Sequence, residues 1–388
     1  MIPYGKQDIR QQDIDAVIDV LKSDFLTQGP QVPAFEKALA TYCENEFAVA
    51  MNSATSALHL ACRALDVGVG DTVWTSPISF VASANCALYC GANVDFVDVD
   101  AKSYNLSPEA LSEKLKHAET IGKLPKVIIP VHLSGQSCDM EAIYALSKRY
   151  GFAIIEDASH AIGGRYKGGP IGNCKYSDIA IFSFHPVKII TTAEGGVAVT
   201  RSSSLAEKMS LLRSHGITRD ESQLEGESHG PWYYEQQELG YNYRMTELQA
   251  ALGLSQLDML DDCVQLRAQI AGEYNQRLQG LALTLPKQAH DSFSAWHLYI
   301  IRINQDSLTI THRQLFEALH ADGIGVNLHY IPIYRQPFFA AMGFRKEDFP
   351  QAEQFYREAM SIPLFHQITN TQQTEVVNSL AKFVAENS

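Results

Sequence analysis

Residues 178–200 of the chain read Asp-Ile-Ala-Ile-Phe-Ser-Phe-His-Pro-Val-Lys-Ile-Ile-Thr-Thr-Ala-Glu-Gly-Gly-Val-Ala-Val-Thr. Two short apolar runs within this stretch, at 179–182 and 197–199, are typical of buried strands. The connection between them carries one lysine, Lys188, and ends at Glu194-Gly195-Gly196, where glycine lets the backbone approach another group closely. A lysine amine held between two strands can form a Schiff base with a carbonyl compound. Because an isolated lysine is more commonly a surface residue, the rest of the chain has to distinguish these two roles.

The length and composition of the chain are typical of a two-domain globular protein: 388 residues, 46% of them hydrophobic and 19% charged. A net charge of −13 without a cluster of Lys and Arg argues against nucleic acid as a partner. The N-terminus lacks the pattern of a signal peptide, and no apolar run is long enough to cross a bilayer. A cytoplasmic location without a membrane partner is therefore predicted. Seven cysteines without metal-ligand spacing predict reduced thiols and no metal site.

Apolar runs alternate with helical periodicity through the first half of the chain. Strands are predicted at 47–51, 72–76, 93–97, 126–133 and 152–155, in addition to the two beside Lys188. Helices separate most of them, which predicts an α/β fold with a seven-stranded, mainly parallel sheet. The short strand after the lysine is expected to run antiparallel.

The composition changes after a long helical stretch that begins at Thr246 and is predicted to end at residue 278. Short strands and helices follow, which predicts a smaller α+β domain. We place the domain boundary at residue 250, with a large domain at 1–250 that includes the N-terminal segment and a small domain at 251–388.

Polar and aromatic side chains follow the predicted strands at positions where a ligand could bind. Ser53, Ala54 and Thr55 begin the helix after the first strand, where free backbone N–H groups can hold a phosphate-sized anion. Ser53 or Thr55 could also simply cap that helix. Phe80 follows the second strand, either as a core aromatic residue or as a ring stacked on a ligand.

Asp157 stands at the tip of a buried strand, where a carboxylate is costly unless it has a partner such as a protonated pyridine nitrogen. Together with Lys188, these positions match the four parts of pyridoxal phosphate: phosphate, ring face, ring nitrogen and aldehyde. The order of the four features along the chain therefore predicts a pyridoxal phosphate site.

The chain resembles the DegT/DnrJ/EryC1 (StrS-type) sugar aminotransferases. The resemblance covers almost the whole chain and is carried by segments 26–29 (Leu-Thr-Gln-Gly), 52–58 (Asn-Ser-Ala-Thr-Ser-Ala-Leu), 156–158 (Glu-Asp-Ala), 182–188 (Phe-Ser-Phe-His-Pro-Val-Lys), 194–196 (Glu-Gly-Gly), 213–216 (Arg-Ser-His-Gly) and 241–245 (Tyr-Asn-Tyr-Arg-Met). It implies the fold type I of pyridoxal-phosphate-dependent transferases.

The resemblance also implies residue roles. The matching lysine, Lys188, holds the cofactor covalently and is the catalytic residue, and Asp157 binds the pyridine nitrogen. Asn242 reaches the phosphate from the partner subunit, which implies a homodimer with shared active sites. His160 and His185 either tune the cofactor or are structural histidines. The full predicted cofactor-binding set is Ala54, Thr55, Phe80, Asp157, His160, Ser183, Lys188 and Asn242.

Many members of the family have glutamine where this chain has His160. That departure, together with segments 75–82 and 230–235, resembles the branch that aminates a UDP-linked 4-keto sugar in pseudaminic acid synthesis. The resemblance implies that L-glutamate donates an amino group to C4 of a UDP-linked 4-keto-6-deoxy-N-acetylhexosamine. The product would be UDP-4-amino-4,6-dideoxy-N-acetyl-β-L-altrosamine.

The nucleotide sugar is too long to bind within the cofactor pocket alone, so further contacts are expected. The N-terminal segment, with Tyr4 and residues 25–27, and the loop at 329–332 both mix aromatic with hydrogen-bonding groups. They match the sugar-nucleotide contacts of that branch, although both could also only pack the two domains together. The predicted substrate-binding residues are Tyr4, Phe25, Leu26, Thr27, His329, Tyr330, Ile331 and Pro332.

Three alternatives remain open from the sequence. A dehydratase relative has histidine in place of the lysine, so Lys188 argues against that function. A non-catalytic protein that binds the cofactor as a sensor is opposed by the pair of Lys188 and Asp157. The same amination could also act on another keto sugar, such as a UDP-4-keto pentose or a dTDP-linked hexose.

Overall fold

The structure is a computed structural model that describes residues 1–305 and 307–387. Asp306 and Ser388, both within the predicted small domain, lie outside the described residues. The helices are α1 (Gln11–Leu21), α2 (Gln31–Tyr42), α3 (Ala54–Ala64), α4 (Ala82–Tyr89), α5 (Pro108–Thr120), α6 (Met140–Tyr150), α7 (Ser203–Arg213), α8 (Glu247–Leu257), α9 (Leu260–Arg277), α10 (His312–Ala321), α11 (Pro337–Ala340), α12 (Pro350–Glu358) and α13 (Asn370–Glu386). The strands are β1 (Phe47–Met51), β2 (Thr72–Thr75), β3 (Asn93–Phe96), β4 (Val127–Ile129), β5 (Ala153–Asp157), β6 (Arg165–Tyr166), β7 (Gly169–Pro170), β8 (Ile179–Ser183), β9 (Gly196–Thr200), β10 (Ile217–Thr218), β11 (Glu235–Gln236), β12 (Leu283–Thr284), β13 (Ser292–Phe293), β14 (Tyr299–Ile303) and β15 (Ala359–Ile362).

Seven strands of the described chain form the central sheet, in the spatial order β1-β9-β8-β5-β4-β2-β3. β3, β2, β4, β5 and β8 run parallel, and β9 runs antiparallel to both of its neighbours, β8 and β1. Every residue of β8 and β9 is buried, as expected for strands inside a sheet that is covered on both faces. The predicted α/β fold with a mainly parallel sheet and an antiparallel strand after the lysine is confirmed.

The parallel strands place their carboxyl ends at one edge of the sheet. Asp157, the last residue of β5, pairs with Ile181 of β8, and the chain turns toward Lys188 shortly after β8 ends. At the end of β1, Met51 pairs with Gly196 at the start of β9. The start of α3 therefore lies beside the strand that follows the lysine turn.

Two boundaries differ from the sequence prediction. The regular part of β4 ends at Ile129, because Pro130 has no N–H group to donate to a neighbouring strand. The long helix predicted from Thr246 is divided at Asp258 and Met259 into α8 and α9, and Thr246 caps α8. The apolar periodicity continues across the break, so the pattern alone does not show it.

The C-terminal part contains a three-stranded antiparallel sheet, β12-β14-β15, within the described residues. Helices α10 and α13 pack against each other, and α8 packs against α1 and α2 of the N-terminal segment. The division of the chain at residue 250 stays a prediction.

All seven cysteines are free thiols. Over residues 1–305 and 307–387, none of the helices combines the length and the apolar character needed to cross a bilayer, and no cluster of His, Cys, Asp or Glu could hold a metal ion. The predicted cytoplasmic location stays a prediction.

An aromatic cluster joins the edge of the central sheet to the C-terminal part. Phe96, the last residue of β3, is 0% exposed. Its ring centroid lies 4.9–6.3 Å from those of four other aromatic rings, which are Tyr334, Phe339, Phe344 and Phe349. Such edge-to-face contacts add to the free energy gained by burying the rings.

We expect Phe96→Ala to lower the free energy of unfolding by about 3–5 kcal/mol, because it leaves a cavity at the centre of this cluster. Phe338→Ala is the matched control: that side chain is 63% exposed, so the same substitution should cost less than about 1 kcal/mol. Guanidinium unfolding measures both variants. Equal losses would contradict the assigned role of the cluster.

Candidate active site

A cavity of about 470 Å³ lies at the carboxyl edge of the central sheet. Ten of the residues predicted from the sequence line it, namely Tyr4, Ala54, Thr55, Phe80, Asp157, His160, Ser183, Lys188, His329 and Tyr330. The structure therefore brings most of the predicted cofactor set and part of the predicted substrate set into one space.

The start of α3 forms one wall of this cavity. Ser53 caps the helix, since its Oγ accepts a hydrogen bond from the backbone N–H of Ser56 at 3.1 Å. The N–H groups of Ala54 and Thr55 precede the first intrahelical hydrogen bond and can bind an anion. A Cβ atom on Gly196 would lie 2.3 Å from the nitrogen of Ala54, so only glycine allows this close approach. The capping role and the anion site are compatible.

Asp157 supplies a buried carboxylate and is only 5% exposed. Ser83 Oγ donates to its Oδ2 at 2.6 Å, and the backbone N–H of Ser159 donates to its Oδ1 at 3.1 Å. Among the described residues, no salt bridge within 4.0 Å involves this carboxylate. Because a buried charge needs compensation, its remaining lone pairs suit a cationic ligand group such as a protonated ring nitrogen.

Lys188 faces the same cavity and is partly exposed to it. Burial among protein atoms lowers the pKa of Lys188 to about 8, against the opposing effect of Asp157. About one tenth of the amine is therefore neutral at pH 7 and about half at pH 8, and only a neutral amine can attack a carbonyl group.

The tautomer of His160 follows from its hydrogen bonds. The backbone N–H of Ser134 donates to Nδ1 at 3.3 Å, so the proton of the neutral ring is on Nε2, which lies 3.0 Å from the hydroxyl of Tyr330. Burial, together with the nearby charge of Lys188, holds the pKa of His160 well below its usual value. His160 is therefore a neutral hydrogen-bond donor in this cavity.

Tyr4 and His329 lie together where the N-terminal segment meets the C-terminal part, with their ring centroids 5.2 Å apart. His329 Nδ1 is 2.8 Å from Ser361 Oγ, and burial, followed by the charge of Lys188, lowers the pKa of His329 to about 4. The centroid of Phe80 is 6.4 Å from that of Tyr330, and Phe80 is 59% exposed. The interpretation of Phe80 as a core residue is therefore wrong, because its ring lies on the open side of the cavity.

Other predicted residues do not line this cavity within one chain. The segment Phe25-Leu26-Thr27 is exposed, as is Ile331, whereas Pro332 is buried. Asn242 is exposed and pairs with Ser214 in an isolated bridge, and its carbonyl oxygen lies 3.5 Å from Asn52 Nδ2. The predicted roles of these residues stay predictions.

The sequence did not reveal some residues that the structure brings to the site. Ser79 lines the cavity, and Ser83 contacts Asp157. The spacing of four between these serines, at the start of a helix that follows a strand, is a signal that could have identified them. The ring of His297 lies 4.4 Å from that of His160, and no local pattern marked this histidine.

Comparison with known proteins supports the same chemistry. Residues 7–381 match the model of the DegT/DnrJ/EryC1/StrS aminotransferase family. Over 379 residues the chain is 39% identical to the UDP-4-amino-4,6-dideoxy-N-acetyl-β-L-altrosamine transaminase of Campylobacter jejuni (97% of this chain, 96% of the relative). Over 386 residues it is 36% identical to the spore coat polysaccharide biosynthesis protein SpsC of Bacillus subtilis (99% and 97%). Among solved structures, Helicobacter pylori PseC, an aminotransferase involved in the biosynthesis of pseudoaminic acid, is 32% identical, with a TM-score of 0.90 over 99% of both chains.

The fold and the comparisons define a fold type I aminotransferase that uses pyridoxal phosphate. The chain belongs to the DegT/DnrJ/EryC1/StrS aminotransferase family. The buried carboxylate, the lysine of lowered pKa and the helix start packed on Gly196 fit this cofactor. The prediction of pyridoxal phosphate as the cofactor is confirmed.

We expect the Lys188 amine of the cofactor-free protein to react with an acetylating reagent with a midpoint near pH 8. It is protonated and unreactive below this pH and neutral above it, so labelling rises as the pH increases. The hydrogen bond to Glu141 raises the pKa of Lys167, so that exposed residue is an internal control that should label only at higher pH. Peptide mass spectrometry measures both lysines. A midpoint for Lys188 at or above that of Lys167 would contradict the assignment.

Proposed function

We propose that the protein transfers an amino group from L-glutamate to C4 of a UDP-linked 4-keto-6-deoxy-N-acetylhexosamine, with pyridoxal phosphate on Lys188. The observation that carries the proposal is the pair of Lys188 and Asp157 in one cavity next to the start of α3. The Campylobacter jejuni relative, whose name gives this substrate class, and the H. pylori structure support the choice of sugar.

In this proposal, different residues of the cavity have different roles. When bound, pyridoxal phosphate supplies an electron sink for chemistry at the carbon next to an amine. The carboxylate of Asp157 would hold the protonated ring nitrogen, and the N–H groups of Ala54 and Thr55 would bind the phosphate. Lys188 would hold the cofactor through its Nζ, and as a free amine the same Nζ would carry a proton to and from the substrate carbon.

His160, Phe80 and Ser183 complete the cofactor contacts in this proposal. The bond from Ser134 fixes the tautomer of His160, whose Nε2–H group donates to the hydroxyl of Tyr330, so the proton of that hydroxyl can bind an oxygen of the ligand. The exposed ring of Phe80 can pack against the face of the cofactor.

We propose that the nucleotide sugar enters over Tyr4, His329 and Tyr330, which lie together in the cavity. The predicted contacts of Phe25-Leu26-Thr27, Ile331 and Pro332 belong to the same proposal. Because Phe25-Leu26-Thr27 and Ile331 are exposed and do not line the cavity of their own chain, they would contact the outer part of the substrate or the cavity of a second copy. The buried Pro332 would only support the loop that carries Ile331.

The charge of the cavity supports a shared site in a homodimer. Among its described lining residues, Lys188 is the only lysine or arginine, whereas both the cofactor phosphate and the diphosphate of a nucleotide sugar are anionic. A second copy could supply the missing donors, and the exposed Asn242 is the proposed one for the phosphate. Two-fold symmetry would then give each site one such residue from the other subunit.

We expect the protein with glutamate to aminate the UDP-linked 4-keto-6-deoxy-N-acetylhexosamine faster than a UDP-4-keto pentose or a dTDP-linked keto hexose. Lys188→Ala should lower the rate by about 10²–10⁴, because it removes the proton-transferring amine. Lys175→Ala, an exposed lysine, is the control. Mass spectrometry detects the products and, after borohydride treatment, the labelled lysine. A faster reaction with another sugar would overturn the choice of substrate, and a label on a different lysine would overturn the site.

We expect equal mixtures of Lys188→Ala and Asn242→Asp subunits to regain about one quarter of the wild-type activity, although each variant alone is inactive. Random exchange makes about half of the dimers hybrid, and each hybrid carries one intact site out of two. Native mass spectrometry confirms the exchange. If hybrids form without activity, Asn242 acts within its own chain or not at all.

A further inference from the structure

Two buried hydroxyl groups lie directly behind the carboxylate of Asp157. Ser83, in the first turn of α4, is 0% exposed, and Ser79, just before that helix, is 4% exposed. Ser83 Oγ is 2.6 Å from Asp157 Oδ2 and 2.7 Å from Ser79 Oγ. The three groups form a short chain that ends at the cavity, which Ser79 also lines.

The direction of both hydrogen bonds follows from the chemistry of the carboxylate. An ionised carboxylate only accepts, so the hydroxyl of Ser83 must donate its one proton to Asp157. The Oγ of Ser83 then accepts the proton of Ser79. Each oxygen of Asp157 thus has a fixed donor, because the backbone N–H of Ser159 binds the other oxygen at 3.1 Å.

These two donors come from different parts of the chain, one on α4 and one just after β5. A carboxylate held at both oxygens cannot turn about its last side-chain bond without losing a hydrogen bond. Bonds to a charged acceptor are stronger than bonds between neutral groups, and their loss inside the protein leaves a buried charge poorly compensated.

We propose that Ser83 is a positioning residue that holds the carboxylate of Asp157 directed at the ring nitrogen of the cofactor, with Ser79 supporting it. The proposal rests on the proposed function, in which Asp157 contacts that nitrogen. It goes further by assigning a role to a residue that does not line the cavity.

The test separates the contribution of the ring nitrogen to binding from the contribution of the other cofactor contacts. The cofactor-free protein is titrated with pyridoxal phosphate and with an analogue in which carbon replaces the ring nitrogen, and both dissociation constants are measured by fluorescence. The variants are Ser83→Ala, Ser79→Ala and Ser147→Ala. Ser147 is a buried serine on α6 that bonds to the carbonyl oxygen of Tyr144, so it provides the same chemical change outside the cavity.

We expect Ser83→Ala to weaken the binding of pyridoxal phosphate about tenfold, as a lost bond to a charged group implies, and to change the binding of the carbon analogue less than about twofold. Ser79→Ala should weaken the binding of pyridoxal phosphate by less than tenfold, and should again weaken it more than the binding of the carbon analogue. Ser147→Ala should change neither constant. Alanine favours helix formation, so Ser83→Ala is compatible with α4. If it nevertheless fails to fold, Ser83→Cys, with its weaker S–H donor, replaces it and should show an intermediate loss.

Equal loss for both ligands would show that Ser83 only supports the fold, and no loss for pyridoxal phosphate would show that it does not act on Asp157. Either result overturns the proposal. Failure of the proposed function looks different, because the wild-type protein would then bind neither ligand on Lys188.

Discussion

The buried negative charge of Asp157 is the constraint on which the rest of the site depends. A carboxylate removed from water costs several kcal/mol unless other groups compensate it. Hydrogen bonds from Ser83 and from the backbone of Ser159 provide part of this compensation. The remainder is left for a cationic group in the cavity, which in our proposal is the protonated ring nitrogen of the cofactor. The parallel sheet makes the arrangement possible, because it brings the end of β5 beside the turn that carries Lys188.

Burial also disfavours the charged form of the basic groups of the cavity. It lowers the pKa of Lys188 to about 8 and that of His329 to about 4, and it holds the pKa of His160 well below its usual value. The histidines therefore contribute neutral hydrogen-bond donors and acceptors, and about one tenth of the lysine is in its neutral, nucleophilic form at pH 7. Desolvation thus lowers the pKa of these three bases, while hydrogen bonds compensate the buried carboxylate of Asp157.

Substrate choice depends on other parts of the molecule. Relatives that are 36% and 39% identical to this chain carry different names, so overall identity does not identify the sugar. The groups around Lys188 act on an amine and a carbonyl carbon, which many keto sugars share. In our proposal, discrimination among sugars belongs to residues farther from the lysine, such as Tyr4 and Tyr330, and to a second copy of the chain.

The alternation of strands and helices, and the order of anion site, aromatic ring, acid and lysine, could be read from the sequence. These are local features, because apolar periodicity and the residues at strand ends are written along the chain. These features predicted the cofactor, and the resemblance to a family then implied the class of substrate. Only the tertiary structure showed that Ser83 donates a hydrogen bond to Asp157, 74 positions away in the sequence. It also showed that His160 is hydrogen-bonded to Tyr330, 170 positions away, and that Phe80 is exposed at the cavity. No local pattern records such contacts, because they depend on which helix packs beside which strand end.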